Sequence, residues 1–330
     1  MTASDPRPVT GRETIGVDLG GTKMLVGVVD AGGAVMHRRV DASVGLGADE
    51  LLARIDAEIR IALDSRPGVA AVGLGVPCIV DRDREICVTS NHLPLIGVPL
   101  RTRVATLTDL PTAIDNDGNA SALAEQQRGA ARGAENVVLL TLGTGIGGGL
   151  ILGGRPYRGS RGAAAELGHF VVDMDGPPCP GRCPNNGCIE SLVSGTALRI
   201  EAERAIAANP GSPLAAAAEA DGKIDGTVVT GLARAGDEIS IRLLETMGRR
   251  LGVALTGLAN VFDPDVMVIG GGVIDAGELL LGPAREEFER RALTPQRETP
   301  IKAAELGADA GMIGASILGL EELAASGTAA

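Results

Sequence analysis

Four side chains between residues 169 and 188 have the types and spacing of a zinc site. They supply one imidazole nitrogen and three thiolate sulfurs, from His169, Cys179, Cys183 and Cys188. Zinc prefers four such ligands in a tetrahedron, and the prolines and glycines between them favour turns that fold the ligands around one ion. With all four positions filled by protein, the ion would be structural. A disulfide or three unrelated thiols are the alternatives.

Two glycine-rich stretches have the composition of phosphate-binding turns: "DLGGTK" at 18–23 and "LGTGIGGG" at 142–149. Each lies between two predicted strands, whereas a dinucleotide fingerprint or a P-loop must open a helix. Glycines in a hairpin turn still expose backbone N–H groups to phosphate oxygens. Lys23 adds a positive charge, and Asp18 could hold magnesium through water. Ordinary hairpins are the alternative, and a third glycine run at 270–272 argues against it.

The motif "DNDGN" at 115–119 contains a candidate general base. Phosphoryl transfer to a hydroxyl group often needs a carboxylate that accepts the hydroxyl proton. Asp115 and Asp117 fall where a strand is predicted to end and a helix to begin, and a helix N-terminus favours the charged form of a carboxylate. Asp117 is the candidate base; the alternative is that it only caps the helix.

The elements that must position these groups follow from the spacing of apolar residues. Strand–turn–strand units are predicted at 14–33 and 136–156, strands over 69–80 and 265–273, a strand end and helix over 112–134, and helices over 48–65, 238–262, 277–293 and 309–325. The two strand–turn–strand units form a weak internal repeat. Two copies of one phosphate-turn hairpin predict a two-lobed α/β protein with a cleft between the lobes.

Composition limits the possible functions. The chain has 330 residues and a net charge of 30 − 42 = −12, which argues against nucleic-acid and anionic-membrane surfaces. No apolar run is long enough to span a membrane, and the start lacks the pattern of a signal peptide. Five cysteines without an export signal indicate a reducing cytoplasm. With three Phe, one Tyr and no Trp, a sugar or base site must rely on hydrogen bonds and aliphatic contacts.

Together, "IGVDLGGTK", "NDGN", "LGTGIGGG", "GAAAELGH" and the cysteine cluster resemble the ROK family of sugar kinases and repressors, from about Thr14 to Leu320. The resemblance implies an actin-like ATPase fold (ribonuclease H-like) with two lobes. We expect a disordered tail at 1–13, a small lobe at 14–120 joined by the C-terminal helix 309–325, and a large lobe with the zinc loop at 121–308. The first phosphate turn begins too early for the winged helix of repressor members, so we expect no DNA-binding domain.

The resemblance also implies an ATP- and Mg²⁺-dependent kinase for a hexose, most similar to a glucokinase, and roles for individual residues. Asp117 would be the catalytic base, and the sugar contacts would come from Asn116, Asp117, Glu166, His169 and Glu190. The phosphates would be held by Asp18, Gly20, Gly21, Thr22, Lys23, Gly143, Thr144 and Gly145, with Gly271 and Gly272 near adenosine. Family members are often homo-dimers or homo-tetramers.

Several positions depart from the family pattern. Ala165 replaces the glycine that usually precedes the glutamate, Cys78 replaces a glycine near the sugar, and His92 replaces an asparagine. The gap from Cys179 to Cys183 is two residues longer than usual, which raises the question whether Cys179 still reaches the metal. The alternatives are therefore another sugar (N-acetylmannosamine, N-acetylglucosamine, allose or fructose), a polyphosphate donor, or a sugar-binding regulator without turnover.

Overall fold

The computed structural model describes residues 12–90, 93–180 and 183–327. The strands are β1 (Glu13–Leu19), β2 (Lys23–Val29), β3 (Val35–Ala42), β4 (Val69–Val76), β5 (Ile79–Val80), β6 (Cys87–Thr89), β7 (Thr112–Asn116), β8 (Val137–Leu142), β9 (Ile146–Leu152), β10 (Arg155–Pro156), β11 (Val266–Gly270) and β12 (Ile301–Ala303). The α-helices are α1 (Ala48–Ser65), α2 (Leu100–Thr108), α3 (Asp117–Arg128), α4 (Ile189–Val193), α5 (Gly195–Ala208), α6 (Pro213–Asp221), α7 (Gly226–Arg234), α8 (Glu238–Phe262), α9 (Glu278–Arg291) and α10 (Ala310–Gly327).

The chain divides into two compact units. The first comprises residues 1–132, 155–165 and 308–330, and the second comprises 133–154 and 166–307. The sequence-based division after residue 120 falls inside α3, which lies wholly in the first unit, and α10 belongs to that unit too. Of the predicted N-terminal tail, residues 1–11 lie outside the described residues, and β1 already begins at Glu13.

The first unit is built on a sheet with the strand order β3-β2-β1-β4-β7. The β1–β2 and β2–β3 pairs are antiparallel, whereas β1–β4 and β4–β7 are parallel. Side chains alternate across a strand, so Ile15, Val17 and Leu19 of β1 point to one face. There they join a buried cluster with Leu51 and Ile55 of α1. The intervening residues of β1 face α10, and the Thr14 hydroxyl donates to the Ser316 carbonyl at 3.1 Å.

Helix α10 packs unusually close to the sheet because glycines line the contact. A Cβ atom placed on Gly73 of β4 would lie 1.8 Å from the Ala315 carbonyl oxygen of α10. The same helix touches α3, where a Cβ on Gly314 would lie 1.8 Å from the Ala120 carbonyl oxygen. Both distances are far inside van der Waals contact, so only glycine fits at either position. This packing joins the C-terminal helix to the first unit.

The second unit repeats the strand arrangement of the first. Its sheet contains the order β9-β8-β11-β12, with β8–β9 antiparallel and β8–β11 and β11–β12 parallel. The strands β2-β1-β4-β7 of the first unit pair in the same pattern, with one antiparallel pair followed by two parallel pairs. The internal repeat predicted from the two hairpins is therefore present as a repeat of topology. Helix α8 packs against α9, and α4, α5 and α7 also contact α8.

Most strongly periodic elements were predicted closely, including α1 and α8 with their observed ends. The predicted strand over 69–80 is β4 and the short β5, and α10 runs two residues beyond its predicted end at 325. The edge strand β3, helix α2, and helices α4 to α7 were not predicted.

Among the residues that the structure describes, no helix is long and apolar enough to cross a membrane.

Replacing Gly73 with alanine should destabilise the first unit. The added methyl group would force α10 away from β4, and overpacking of this kind costs ~1–3 kcal/mol or more. Urea unfolding followed by circular dichroism should show a lower transition midpoint for Gly73→Ala. Gly68→Ala is the matched control, because a Cβ at Gly68 meets nothing within 4 Å. Equal midpoints for both variants would contradict this account of the α10 packing.

Candidate active site

Three parallel strands of the first unit end at one edge and bring their polar residues together there. Asp18 of β1 pairs in register with Gly75 of β4, and Gly75 pairs with Asp115 of β7. Because the carboxyl ends of parallel strands meet at the same edge, Asp18 and Asp117 become neighbours. The Asp18 carboxyl also lies against Gly311 in the first turn of α10, since a Cβ on that glycine would be 2.5 Å from the Asp18 Cγ.

The three polar residues of the "DND" motif have three different environments. Asp115 is buried, and its Oδ1 accepts hydrogen bonds from the Asn116 N–H at 2.8 Å and the Asn119 Nδ2 at 2.9 Å. Its Oδ2 accepts from the Arg158 guanidinium at 2.5 Å. Asn116 is the N-cap of α3, and Asp117 is the first residue of the helix. Asp115 thus anchors the strand end from which the other two side chains project.

The Asn116 side chain is already engaged within the first unit. Its Oδ1 accepts from the N–H groups of Gly118 at 2.9 Å and Asn119 at 3.3 Å, and its Nδ2 donates to the Cys78 carbonyl at 3.3 Å. The capping role considered for Asp117 therefore belongs mainly to Asn116. Asp117 Oδ1 accepts from the N–H of the next residue, Gly118, at 2.9 Å.

The electrostatics of this edge are unfavourable for two charged carboxylates. Burial raises the pKa of Asp18 to about 7; repulsion from Asp117 adds to the rise, and Lys23 opposes it. Desolvation and a like charge both disfavour the charged form. The charged form of Asp18 is therefore disfavoured unless a cation lies beside it.

The first glycine turn, residues 20–23, joins β1 to β2 at the same edge. The Gly20 N–H donates to the Lys23 carbonyl at 2.9 Å, which closes the turn. Ser43, which follows β3, holds the turn from outside. Its hydroxyl donates to the Gly20 carbonyl at 2.7 Å, and its N–H donates to the Thr22 carbonyl at 3.1 Å. Thr22 and Lys23 are exposed.

The second glycine turn, residues 143–145, joins β8 to β9 in the second unit and is held from outside by the first residues of α5. The Gly195 N–H donates to the Gly143 carbonyl at 2.8 Å. The Thr144 carbonyl accepts from the Thr196 hydroxyl at 2.8 Å and from the Thr196 N–H at 3.3 Å. Gly271, at φ +86°, packs against Leu142 just before the turn, so the glycine run after β11 lies beside it; Gly272 is exposed.

The predicted sugar contacts of the second unit converge on the backbone of Ile146, the first residue of β9. The Glu190 Oε2 accepts from the Ile146 N–H at 2.7 Å. The turn 166–169 packs against the carbonyl group of the same residue, because a Cβ on Gly168 would lie 2.4 Å from the Ile146 carbonyl oxygen. A Cβ on Gly145 would lie 2.4 Å from the Glu190 Oε2. Glu190 and the turn that carries Glu166 and His169 thus both contact Ile146, directly after the second glycine turn.

The positions that depart from the family pattern lie in different environments in the structure. Ala165 adopts φ +67°, a conformation that favours glycine, so the family's usual glycine matches the backbone better than alanine does. The Cys78 side chain is buried in the hydrophobic cluster of the first unit. Its backbone carbonyl accepts from the Asn116 Nδ2, so the residue adjoins the "DND" motif. His92 lies outside the described residues.

Two distances between ligand atoms of the cysteine cluster match those of a tetrahedral zinc site. The ligand atoms of His169, Cys179, Cys183 and Cys188 all lie within 4.8 Å of one another. With Zn–S bonds of about 2.3 Å and Zn–N bonds of about 2.05 Å, tetrahedral corners lie about 3.8 Å apart for two sulfurs and about 3.6 Å for sulfur and nitrogen. The Cys183 and Cys188 sulfurs are 3.8 Å apart, and the Cys179 sulfur is 3.4 Å from the His169 Nδ1. The donor set fits the ion.

Cys179 reaches the cluster despite the lengthened gap, of which residues 181 and 182 lie outside the described residues. The Cys179 N–H donates to the Asn185 carbonyl at 2.9 Å, and Pro178 pairs with Asn186 in a short antiparallel bridge. These contacts bring Cys179 back beside the segment that carries Cys183 and Cys188. His169 faces the Cys179 sulfur with its Nδ1.

Comparisons with known proteins agree with this architecture. A family model described as "ROK family" matches residues 14–322. A glucokinase of Streptomyces coelicolor is 34% identical over 316 residues, which cover 93% of this chain and 98% of that protein. A Streptomyces griseus ROK family glucokinase, solved in complex with glucose and AMPPNP, matches with a TM-score of 0.84 and 36% identity over 94% of this chain and 99% of that one.

Regulators also resemble the chain. A solved ROK family transcriptional regulator, a homologue of the E. coli MLC protein, matches with a TM-score of 0.84 and 26% identity over 95% of this chain and 79% of that one. The family model covers nearly the whole chain. The chain therefore belongs to the ROK family, and its fold is the two-unit α/β fold of ROK glucokinases.

Some residues that shape the site were not found from the sequence. Ser43 and Thr196 contact turns that are 23 and 52 residues away along the chain, and Arg158 contacts Asp115 over 43 residues. "SGT" at 194–196 does carry the signal of a helix N-cap, because the Ser194 hydroxyl accepts from the Ala197 N–H. That signal predicts where α5 starts and leaves open which carbonyl Thr196 contacts.

The Glu190 contact predicts the protection of one backbone amide. A hydrogen bond to a charged group is worth ~1.5–3 kcal/mol, so Glu190→Ala should speed hydrogen exchange at the Ile146 amide roughly 10- to 100-fold. Glu190→Gln keeps an accepting oxygen and should change the exchange rate of the Ile146 amide much less. Glu203→Ala, an exposed glutamate of α5, is the control. Unchanged protection in Glu190→Ala, measured by NMR, would show that the carboxylate does not hold this amide.

Proposed function

We propose that the chain is an ATP-dependent sugar kinase that transfers the γ-phosphoryl group of ATP to the primary hydroxyl of glucose. The observation that carries the proposal is the position of Asp117, at the first turn of α3 and beside Asp18 where three parallel strands end. The ROK glucokinases of similar length and fold support the enzyme class and the choice of glucose.

In the proposed reaction Asp117 is the general base. It accepts the proton of the primary hydroxyl while the hydroxyl oxygen attacks the γ-phosphorus and ADP leaves. Asp115, through its bonds to the Asn116 N–H and the Asn119 side chain, fixes the backbone that carries this carboxylate. The N-terminus of α3 favours the charged form, which is the form that accepts a proton.

The second unit would contribute the other sugar contacts. Glu190 uses one oxygen for the Ile146 amide, so its second oxygen is suited to accept a sugar hydroxyl. Glu166 is exposed and is proposed as a further acceptor. His169, whose Nδ1 faces the cysteine cluster, would offer Nε2. A site made of such acceptors discriminates against sugars that lack the matching hydroxyl, because its acceptors would stay unpaired.

The glycine turns would bind the phosphates through backbone N–H groups, with Lys23 adding a charge. Magnesium, when it is bound with ATP, neutralises phosphate charge as in other kinases. Asp18 is the residue proposed to hold it through water, and its raised pKa is consistent with a carboxyl that is incomplete without a cation. Gly271 and Gly272 are proposed to lie near adenosine.

Replacing Asp117 with asparagine should abolish most of the turnover and leave the fold intact. Loss of a general base costs a factor of ~10²–10⁴, so kcat for glucose with ATP should fall at least about a hundredfold in a coupled ADP-release assay. Asp109→Asn is the matched control: Asp109 is exposed at the end of α2 in the left-handed conformation that asparagine tolerates. Near wild-type turnover in Asp117→Asn would refute the assignment.

The same assay separates the alternatives for substrate and role. N-acetylmannosamine, N-acetylglucosamine, allose and fructose are offered beside glucose, and polyphosphate beside ATP. Glucose with ATP should give the highest kcat/KM. A higher value for another sugar or donor would replace that part of the proposal. No ADP release with any sugar would favour the sugar-binding regulator.

We also propose that the cysteine cluster holds one structural Zn²⁺. The support is the agreement of its two measured edges with a tetrahedron of one nitrogen and three sulfurs. Elemental analysis of the purified protein should find about one zinc per chain, since structural zinc sites bind tightly. Cys179→Ala should lose most of that zinc. Cys87→Ala, which alters a buried cysteine of the first unit, should keep it. Active protein without zinc would contradict the proposal.

A further inference from the structure

The backbone carbonyls of both glycine turns are held from outside by a hydroxyl-bearing residue. In the second unit the Thr196 hydroxyl donates to the Thr144 carbonyl at 2.8 Å, and the Gly195 N–H donates to the Gly143 carbonyl at 2.8 Å. In the first unit the Ser43 hydroxyl donates to the Gly20 carbonyl at 2.7 Å, and the Ser43 N–H donates to the Thr22 carbonyl at 3.1 Å. The two anchors differ in detail, since Ser43 holds two carbonyls while Thr196 and Gly195 hold one each, but in both turns a side-chain hydroxyl donates to a carbonyl of the turn.

These contacts determine where the turn amides point. In a planar trans peptide the C=O and N–H groups point in opposite directions. Anchoring the carbonyls of Gly143 and Thr144 on the start of α5 therefore turns the N–H groups of Thr144 and Gly145 to the other side. Within the described part of the chain, neither amide is seen to donate a hydrogen bond. Anchoring Gly20 on Ser43 directs the N–H of Gly21 away from Ser43 in the same way.

We propose that Ser43 and Thr196 are positioning residues for nucleotide binding. Each hydroxyl holds a turn carbonyl so that the neighbouring amides face the phosphates of the nucleotide. The inference rests on the proposed function, because it takes the turns as the phosphate-binding segments. It adds two side chains that need not touch the nucleotide and that act through the backbone of the turn.

The energetic reason is the location of the turns between strands. In a P-loop the following helix orients the amides of the glycine turn, whereas these turns lead into β2 and β9. Glycine is free to adopt many backbone conformations, so an unanchored turn would have to be ordered when the nucleotide binds. Fixing the backbone of each residue costs conformational entropy. A hydroxyl that holds the carbonyl beforehand reduces this cost.

The test compares variants that differ in the hydroxyl alone. Thr196→Val keeps the shape of the side chain and removes the donor, and Thr196→Ser keeps the donor. Thr246→Val is the matched control, because the Thr246 hydroxyl donates to the Arg242 carbonyl at 2.8 Å on an exposed part of α8 in the same unit. For the first turn, Ser43→Ala is compared with Ser65→Ala, whose exposed hydroxyl donates to the Ala62 carbonyl at 2.8 Å.

Calorimetry with AMPPNP or ADP, and steady-state kinetics with glucose and ATP, give the readouts. A neutral hydrogen bond is worth ~0.5–1.5 kcal/mol, so Thr196→Val and Ser43→Ala should each weaken nucleotide binding and raise the KM for ATP roughly three- to tenfold. Because the Thr196 N–H still donates to the same carbonyl, the loss should be partial. The KM for glucose should change by less than about twofold, and Thr196→Ser should restore nucleotide binding.

The outcomes separate this inference from the proposed function. If the wild-type protein binds no nucleotide and phosphorylates no sugar, the proposed function fails. If the wild type is active and both Thr196→Val and Ser43→Ala bind nucleotide as tightly as their controls, the positioning role is wrong. If Thr196→Val does not fold, Thr196→Ala and Thr196→Ser replace it, since they too differ in one hydroxyl. Equal nucleotide affinity in that pair would overturn the proposal for the second turn.

Discussion

Both candidate phosphate turns connect strand to strand, and this connection is the constraint on which the rest of the site depends. A hairpin turn pairs its flanking strands but leaves some carbonyls and amides of its tip without partners in those strands. Each tip here is completed by a residue from elsewhere in the same unit: Ser43 after β3, and Thr196 at the start of α5. The positions of β3 and α5 therefore matter for the turns although neither element contains a predicted site residue.

The short motif at the end of β7 divides three tasks among three adjacent residues. Asp115 points into the first unit and binds the Arg158 guanidinium, Asn116 caps α3, and Asp117 begins the helix. Alternation along the strand explains the opposite directions of the first two. A substitution at Asp115 would leave a guanidinium without its partner and release the strand end. A loss of activity there would therefore reflect misplacement of Asp117 more than any chemistry of Asp115.

Sequence patterns predicted the hairpins, the long helices and the members of the cysteine cluster, because each of these signals is local. Helix α8 has leucines at helical spacing over 25 residues, and the cluster ligands lie within twenty residues of one another. Helices α5 and α6 are rich in alanine and lack a clear apolar stripe. Helix α7 has an apolar stripe but is only 9 residues long. The contacts of Ser43, Arg158 and Thr196 depend on tertiary packing, which no local pattern contains.

The cysteine cluster and the second glycine turn lie at the two ends of one short segment. Cys188 is the N-cap of α4, Glu190 in the first turn of that helix holds the Ile146 amide, and Ser194 ends α4 and caps α5. Gly195 and Thr196 then hold the turn carbonyls. A zinc ion on Cys188 would fix the start of this segment without touching any substrate. The same nine residues would then connect the metal to the sugar acceptor and to the phosphate turn, so loosening the cluster should affect nucleotide binding as well as sugar binding.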